Sequence, residues 1–147
     1  MTHLLAIDPG KMTGWAWIEY SKTSTKIMET REVPFEDIYT LLTEYLDHEQ
    51  RVDAVVIEDF RITAGTGKLG SPDWSLRIIG ATELLTQRHG IPLTKQMPSS
   101  AKTFSTDDKL RAVDLWHRGG AGHANDALRH ALLYLVKDGW VDRRLLV

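Results

Sequence analysis

The chain has 147 residues, 42% hydrophobic and 26% charged, with a formal net charge of -2 and no cysteine. That length predicts one domain, residues 1–147, with room for a real core. The missing cysteine excludes a disulfide framework and thiolate metal sites and suits a reducing cytoplasm, and no apolar run approaches the ~18 residues of a membrane span.

Charge is unevenly spread. Residues 1–60 carry 5 Lys and Arg against 12 Asp and Glu, whereas residues 61–118 carry 9 against 5. A phosphate-contacting surface is therefore expected in the middle segment.

Leu4-Leu5-Ala6-Ile7 is apolar on both faces, as a central strand requires, and Asp8-Pro9-Gly10 closes it with a turn. Thr13 to Trp17 and Lys26 to Val33 read as the second and third strands of an antiparallel meander, with Trp15 and Trp17 on one face. From Phe35 to Arg51, Ile38, Leu41, Leu42, Tyr45 and Leu46 fall at helical spacing. Val52 to Asp59 is a second buried strand that ends in carboxylates. A helix between two buried strands implies a crossover, and hence a strand parallel to the first. Asp8 and Glu58 should then meet at one sheet edge.

Phe60 to Gly70 is a glycine-rich, basic loop without the spacing of a phosphate-cradling P-loop. Ser71-Pro72 starts a helix bearing Trp74, Ile78, Ala81 and Leu85, and Gly80-Ala81 offers a surface for close helix approach. Ile91 to Gln96, which contains Pro92, reads as an edge strand. Pro98 to Phe104 reads as a polar connection. Ser105 or Thr106 should cap a short helix carrying Leu110, Val113 and Trp116. After the Gly119-Gly120-Ala121-Gly122 break, a last helix begins near His123.

His123 and Asp126 are three apart and share one helix face at its N-terminus. Each feature has an ordinary structural use, Asp8 in a turn and the His/Asp pair in capping. Together they place three carboxylates and an imidazole at one point, which is costly unless a cation cancels the charge. Oxygen-rich clusters select Mg²⁺ or Mn²⁺, and two such ions can drive phosphodiester hydrolysis.

Asp8-Pro9-Gly10 with Thr13-Gly14, then Ile57-Glu58, then His123-Ala124-Asn125-Asp126-Ala127, resembles the RuvC family of Holliday junction resolvases in order and spacing, and in particular its small bacteriophage members. The resemblance implies an α/β, RNase H-like fold, a five-stranded mixed sheet with helices on both sides. It implies a homodimer that cuts four-way DNA junctions with two Mg²⁺ ions, Mn²⁺ substituting, in the (host) cytoplasm. It implies Asp8, Glu58, His123 and Asp126 as the metal-binding catalytic set and Lys102 as a contact to the scissile phosphate. Phe60 stands near the family's junction-centre aromatic residue without aligning cleanly. Arg61, Lys68, Lys95, Lys109 and Arg111 are candidate DNA-backbone contacts, which would make binding salt-sensitive. Trp15, Trp17 and Trp116 are expected in the core, and Trp74 opens the helix that family members use to dimerise. His3, His48, His89, His117 and His130 show no ligand spacing and receive no role.

Two other readings share the fold: a nuclease acting on structured RNA, of the rRNA-precursor type, and a junction-binding protein without catalysis. The second predicts a missing metal ligand, and none is missing. An actin-like nucleotide-binding module needs far more chain.

Overall fold

The computed structural model describes residues 2–48, 51–62, 73–118 and 122–146. Five strands form one mixed sheet: β1 (Thr2–Asp8), β2 (Met12–Tyr20), β3 (Thr25–Pro34), β4 (Ala54–Glu58) and β5 (Leu93–Gln96). Their order is β3-β2-β1-β4-β5. β1, β2 and β3 are antiparallel, and β4 and β5 continue parallel to β1. This is the predicted meander with a crossover, and β5 takes the predicted edge. Ile7 pairs with Ile57, so the next residues, Asp8 and Glu58, leave the sheet side by side.

Period-two alternation gives the sheet two apolar faces. Leu5, Ile7, Trp15, Val55 and Ile57 face α1 (Phe35–Thr43) and α2 (Asp73–His89). Leu4, Ala6, Ala16, Ile18 and Val56 face α5 (Gly122–Lys137), whose Ala127, Leu128, Ala131, Leu132 and Leu135 are all fully buried. The layers are helices, sheet, helices.

Three local expectations change. The helix predicted over Phe35–Arg51 keeps α-geometry only to Thr43 and continues as a wider π-turn over Glu44–His48. Tyr45 and Leu46 stay buried, and the Tyr45 hydroxyl donates to Glu29 Oε2 at 2.7 Å. Pro98 to Phe104 is not a connection but a helix, α3. Proline fits its first turn, where no amide bond is lost, and Ala101 is its one buried residue, too little to show a period. The next helix, α4 (Asp107–Ala112), is capped by Thr106 as expected but stops before Val113 and Trp116, and Asp114 takes a positive φ of 58°. Gly80 is open: among the described residues, a Cβ there would touch nothing within 4 Å. The predicted helix start at Ser71-Pro72, the glycines of the 60–70 loop and Gly119 to Ala121 lie outside the described residues.

One glycine decides how the sheet and α5 fit together. A Cβ on Gly14 would stand 1.9 Å from the His123 carbonyl oxygen and 2.7 Å from the Ala124 nitrogen. Gly14 thus lets the first turn of α5 lie directly on β2, beside Asp8, its partner in the β1/β2 ladder. Gly14→Ala should cost about 3 kcal/mol of stability, through overpacking that no flexible side chain can relieve. Urea unfolding of the two proteins checks this.

Candidate metal centre

Asp8 ends β1 and is 7% exposed. The Pro9-Gly10 turn behind it is closed by Thr13, whose hydroxyl lies 3.3 Å from both the nitrogen and the oxygen of Gly10. Ser75 on α2 donates to the Pro9 carbonyl at 3.0 Å. The backbone that carries Asp8 is therefore fixed from two sides. Glu58 ends the parallel neighbour β4, as predicted.

α5 delivers the other two groups. Its N-terminus is held by Glu32 of β3, whose Oε1 accepts from the His123 amide at 3.1 Å, a favourable position for an anion. Asn125 clasps the preceding segment: its Oδ1 accepts from the His117 amide at 2.9 Å, and its Nδ2 donates to the His117 carbonyl at 3.0 Å. Within His-Ala-Asn-Asp, the asparagine is thus a structural clasp, while His123 and Asp126 turn toward Asp8.

One ligand atom from each of Asp8, His123 and Asp126 lies within 4.8 Å of the others, a group that could hold a metal ion. His123 Nδ1 is 3.5 Å from Asp8 Oδ2. Glu58 lies close enough for its charge to raise the Asp8 carboxyl but stands outside that group of three. All four residues line one open cleft of about 530 Å³, together with Lys102 of α3, Lys11 and Glu36.

Electrostatics describe the same place. Burial pushes the Asp8 carboxyl up from 3.8 to about 8, reinforced by the charges of Glu58 and Asp126 and only partly opposed by Lys102. The protein alone does not compensate an ionised Asp8. A hard divalent cation with oxygen ligands would, and the donor set fits one.

The remaining sequence candidates are scattered. Phe60 is half-buried and packs against the α1/α2 face. Arg61 is exposed. Lys95 forms an ion pair with Glu83. Lys109 donates to the Phe104 carbonyl at 2.9 Å and covers that ring, and Arg111 pairs with Asp108 at 3.2 Å and lies over Trp116. Lys68 lies outside the described residues. Trp15 is fully buried, Trp17 and Trp116 partly so, and Trp74 packs on Phe35 at 4.8 Å between ring centres.

Two neighbours of the site escaped the sequence reading. His130, 1% exposed, places Nε2 2.8 Å from Glu58 Oε2. Arg129 directs Nε to Asp126 Oδ1 at 3.4 Å, while its other nitrogens hold Asp107 and the Ser105 carbonyl at 2.6 and 2.9 Å. The available signal was helical phase. His130 is seven residues after His123 and four after Asp126, so all three share one face of α5.

The raised Asp8 value gives a stability prediction. Because the folded value exceeds the unfolded one, its contribution is fully present below about pH 4 and is lost as pH rises through about 8. Without divalent ions, Asp8→Asn should melt several degrees above the wild type at pH 8, with the gap closing toward pH 5. Added Mg²⁺ should raise the wild-type Tm and not that of the variant. Thermal melts of both proteins across pH check this.

No protein-family model matches the sequence, and no curated protein matches it significantly. Solved structures do match. RuvC of T. thermophilus, in complex with a Holliday junction substrate, superposes with a TM-score of 0.67 at 17% identity, over 95% of this chain and 98% of its own. The fowlpox virus Holliday junction resolvase gives 0.58 at 14% identity, over 92% and 99%. The yeast mitochondrial Holliday junction resolvase gives 0.58 at 15%, over 99% and 80%. The sheet order, the helical layers and the near-complete coverage agree: this chain has the RuvC-like, RNase H-type fold of the Holliday junction resolvases.

Proposed function

We propose that this protein is a metal-dependent, structure-selective DNA endonuclease that resolves four-way junctions. The observation that carries the reading is the convergence of Asp8, Glu58, His123 and Asp126 in one cleft, at the place where β1, β4 and α5 end or begin. The shared fold supports it.

Asp8, Glu58, His123 and Asp126 would hold the ions, with Mg²⁺ as the natural occupant and Mn²⁺ as its substitute. Bound there, such a pair supplies an activated water and a stabilised leaving oxygen for phosphodiester hydrolysis. The chain's own residues do the rest. Asp8, buried on a rigid strand end, would be one of these ligands. His123, whose side chain is 47% exposed against 10% for Asp8, is accessible enough to carry a proton at its ring nitrogens. Lys102 brings a positive charge to the rim of an acidic cleft, where it can orient a phosphate that would otherwise be repelled. Phe60, Arg61, Lys68, Lys95, Lys109 and Arg111 are the proposed DNA contacts. Because Lys95, Lys109 and Arg111 already have protein partners, DNA must displace or share those contacts. A homodimer is the working unit in this reading, since resolution needs two symmetric cuts.

The test is nicking of a labelled immobile four-way junction in Mg²⁺ and in Mn²⁺, beside matched duplex, flap and structured RNA. Paired symmetric nicks confined to the junction are expected. Asp8→Asn should lose at least ~10³-fold in rate while still binding the junction, and Lys102→Met should lose ~10²-fold. Full cleavage by Asp8→Asn would overturn the mechanism, and preferential cutting of RNA would move the protein to the RNA-processing branch of the same fold.

A further inference from the structure

His130 has no role in the chemistry above, yet it is the most buried titratable side chain around the cleft. Its Nε2 lies 2.8 Å from Glu58 Oε2 and its Nδ1 lies 2.9 Å from Gln96 Oε1. Gln96 is 6% exposed and pairs with Glu58 in the β4/β5 register. Among the described residues, its amide nitrogen, Nε2, is buried without a partner. Turning the amide over lets Nε2 donate to His130 Nδ1 and leaves the ring's Nε2–H facing the Glu58 carboxylate, while Oε1 takes the unpartnered position. Three elements, β4, β5 and α5, thus supply one chain of hydrogen bonds, from buried Gln96 and His130 to Glu58 at the edge of the cleft.

We propose that His130, oriented by Gln96, is the positioning residue for Glu58: it ties back Oε2 and presents Oε1 to a divalent cation in the cleft. This rests on the metal-binding reading above and adds residues to it. The physical reason is rotamer freedom. A glutamate at a strand end has three side-chain torsions to fix before it can ligate, and fixing them at binding weakens affinity. A buried donor that fixes them during folding removes that cost. Outer partners of this kind typically contribute 10- to 100-fold in metal affinity. A histidine that only satisfied itself in the core would leave metal affinity untouched.

The experiment uses the full chain and Mn²⁺ alone, titrated by the EPR signal of the free ion, with circular dichroism melts to verify folding. His130→Leu, of similar bulk but with no donor, should bind Mn²⁺ about 10- to 100-fold more weakly. His130→Gln, whose amide nitrogen can reach the same carboxylate oxygen, should recover most of that loss. In a Glu58→Gln background, His130→Leu should have no further effect. If His130→Leu does not fold, Gln96→Met, which leaves the ring unoriented, carries the test with a smaller, several-fold loss. A folded His130→Leu or Gln96→Met with wild-type affinity overturns the positioning role alone. So does an equal loss in the Glu58→Gln background, because the effect would then not run through Glu58. A wild-type protein that takes up no Mn²⁺ overturns the metal centre, and this role with it.

Discussion

Everything at the cleft follows from a concentration of negative charge that the protein's own contacts leave uncompensated. β1 and β4 are parallel and in register, so their last residues, Asp8 and Glu58, emerge together. α5 then brings Asp126 to the same spot, and burial holds Asp8 protonated to about pH 8. An assembly that cared only for stability would replace one of these groups with an amide. Proteins tolerate such strain where a site needs it. The apolar sheet, buried on both faces, is what makes the strain bearable, because the strand ends cannot drift apart without unpacking two cores.

The supports around the four residues divide by element. The Thr13 hydroxyl and Ser75 fix the turn beneath Asp8, Glu32 and Asn125 fix the start of α5, and Arg129 and His130 brace the carboxylates from behind. Each is an ordinary hydrogen bond worth about 1 kcal/mol, or somewhat more where charged. Their value to the site is geometric: they remove torsional freedom before any ligand arrives.

Most of this architecture is legible in the sequence, for identifiable reasons. Apolar runs ending in carboxylates at Asp8 and Glu58 mark buried parallel strands, and the stripe from Ala124 to Leu135 marks the covering helix. The convergence of the four site residues follows from those two facts and one crossover between parallel strands. What stays hidden depends on partners distant in sequence or buries too little to mark itself. α3 buries only Ala101, so nothing in Pro98 to Phe104 reads as helical. His130 was passed over because its partners, Glu58 and Gln96, are 72 and 34 residues away in sequence. Glu32 looks like any charged residue of an edge strand until α5 docks on it.

The contact between Gly14 and the first turn of α5 also governs timing. His123 lies 115 residues beyond Asp8. At ordinary translation speeds that gap takes roughly ten seconds to synthesise. During that interval the first hairpin and β4 can form, but the third carboxylate and the imidazole do not yet exist. The cleft is completed only when the last helix seats itself on the first hairpin. A nascent chain therefore carries an incomplete donor set, because the order of synthesis leaves the last two members of the cluster until the end.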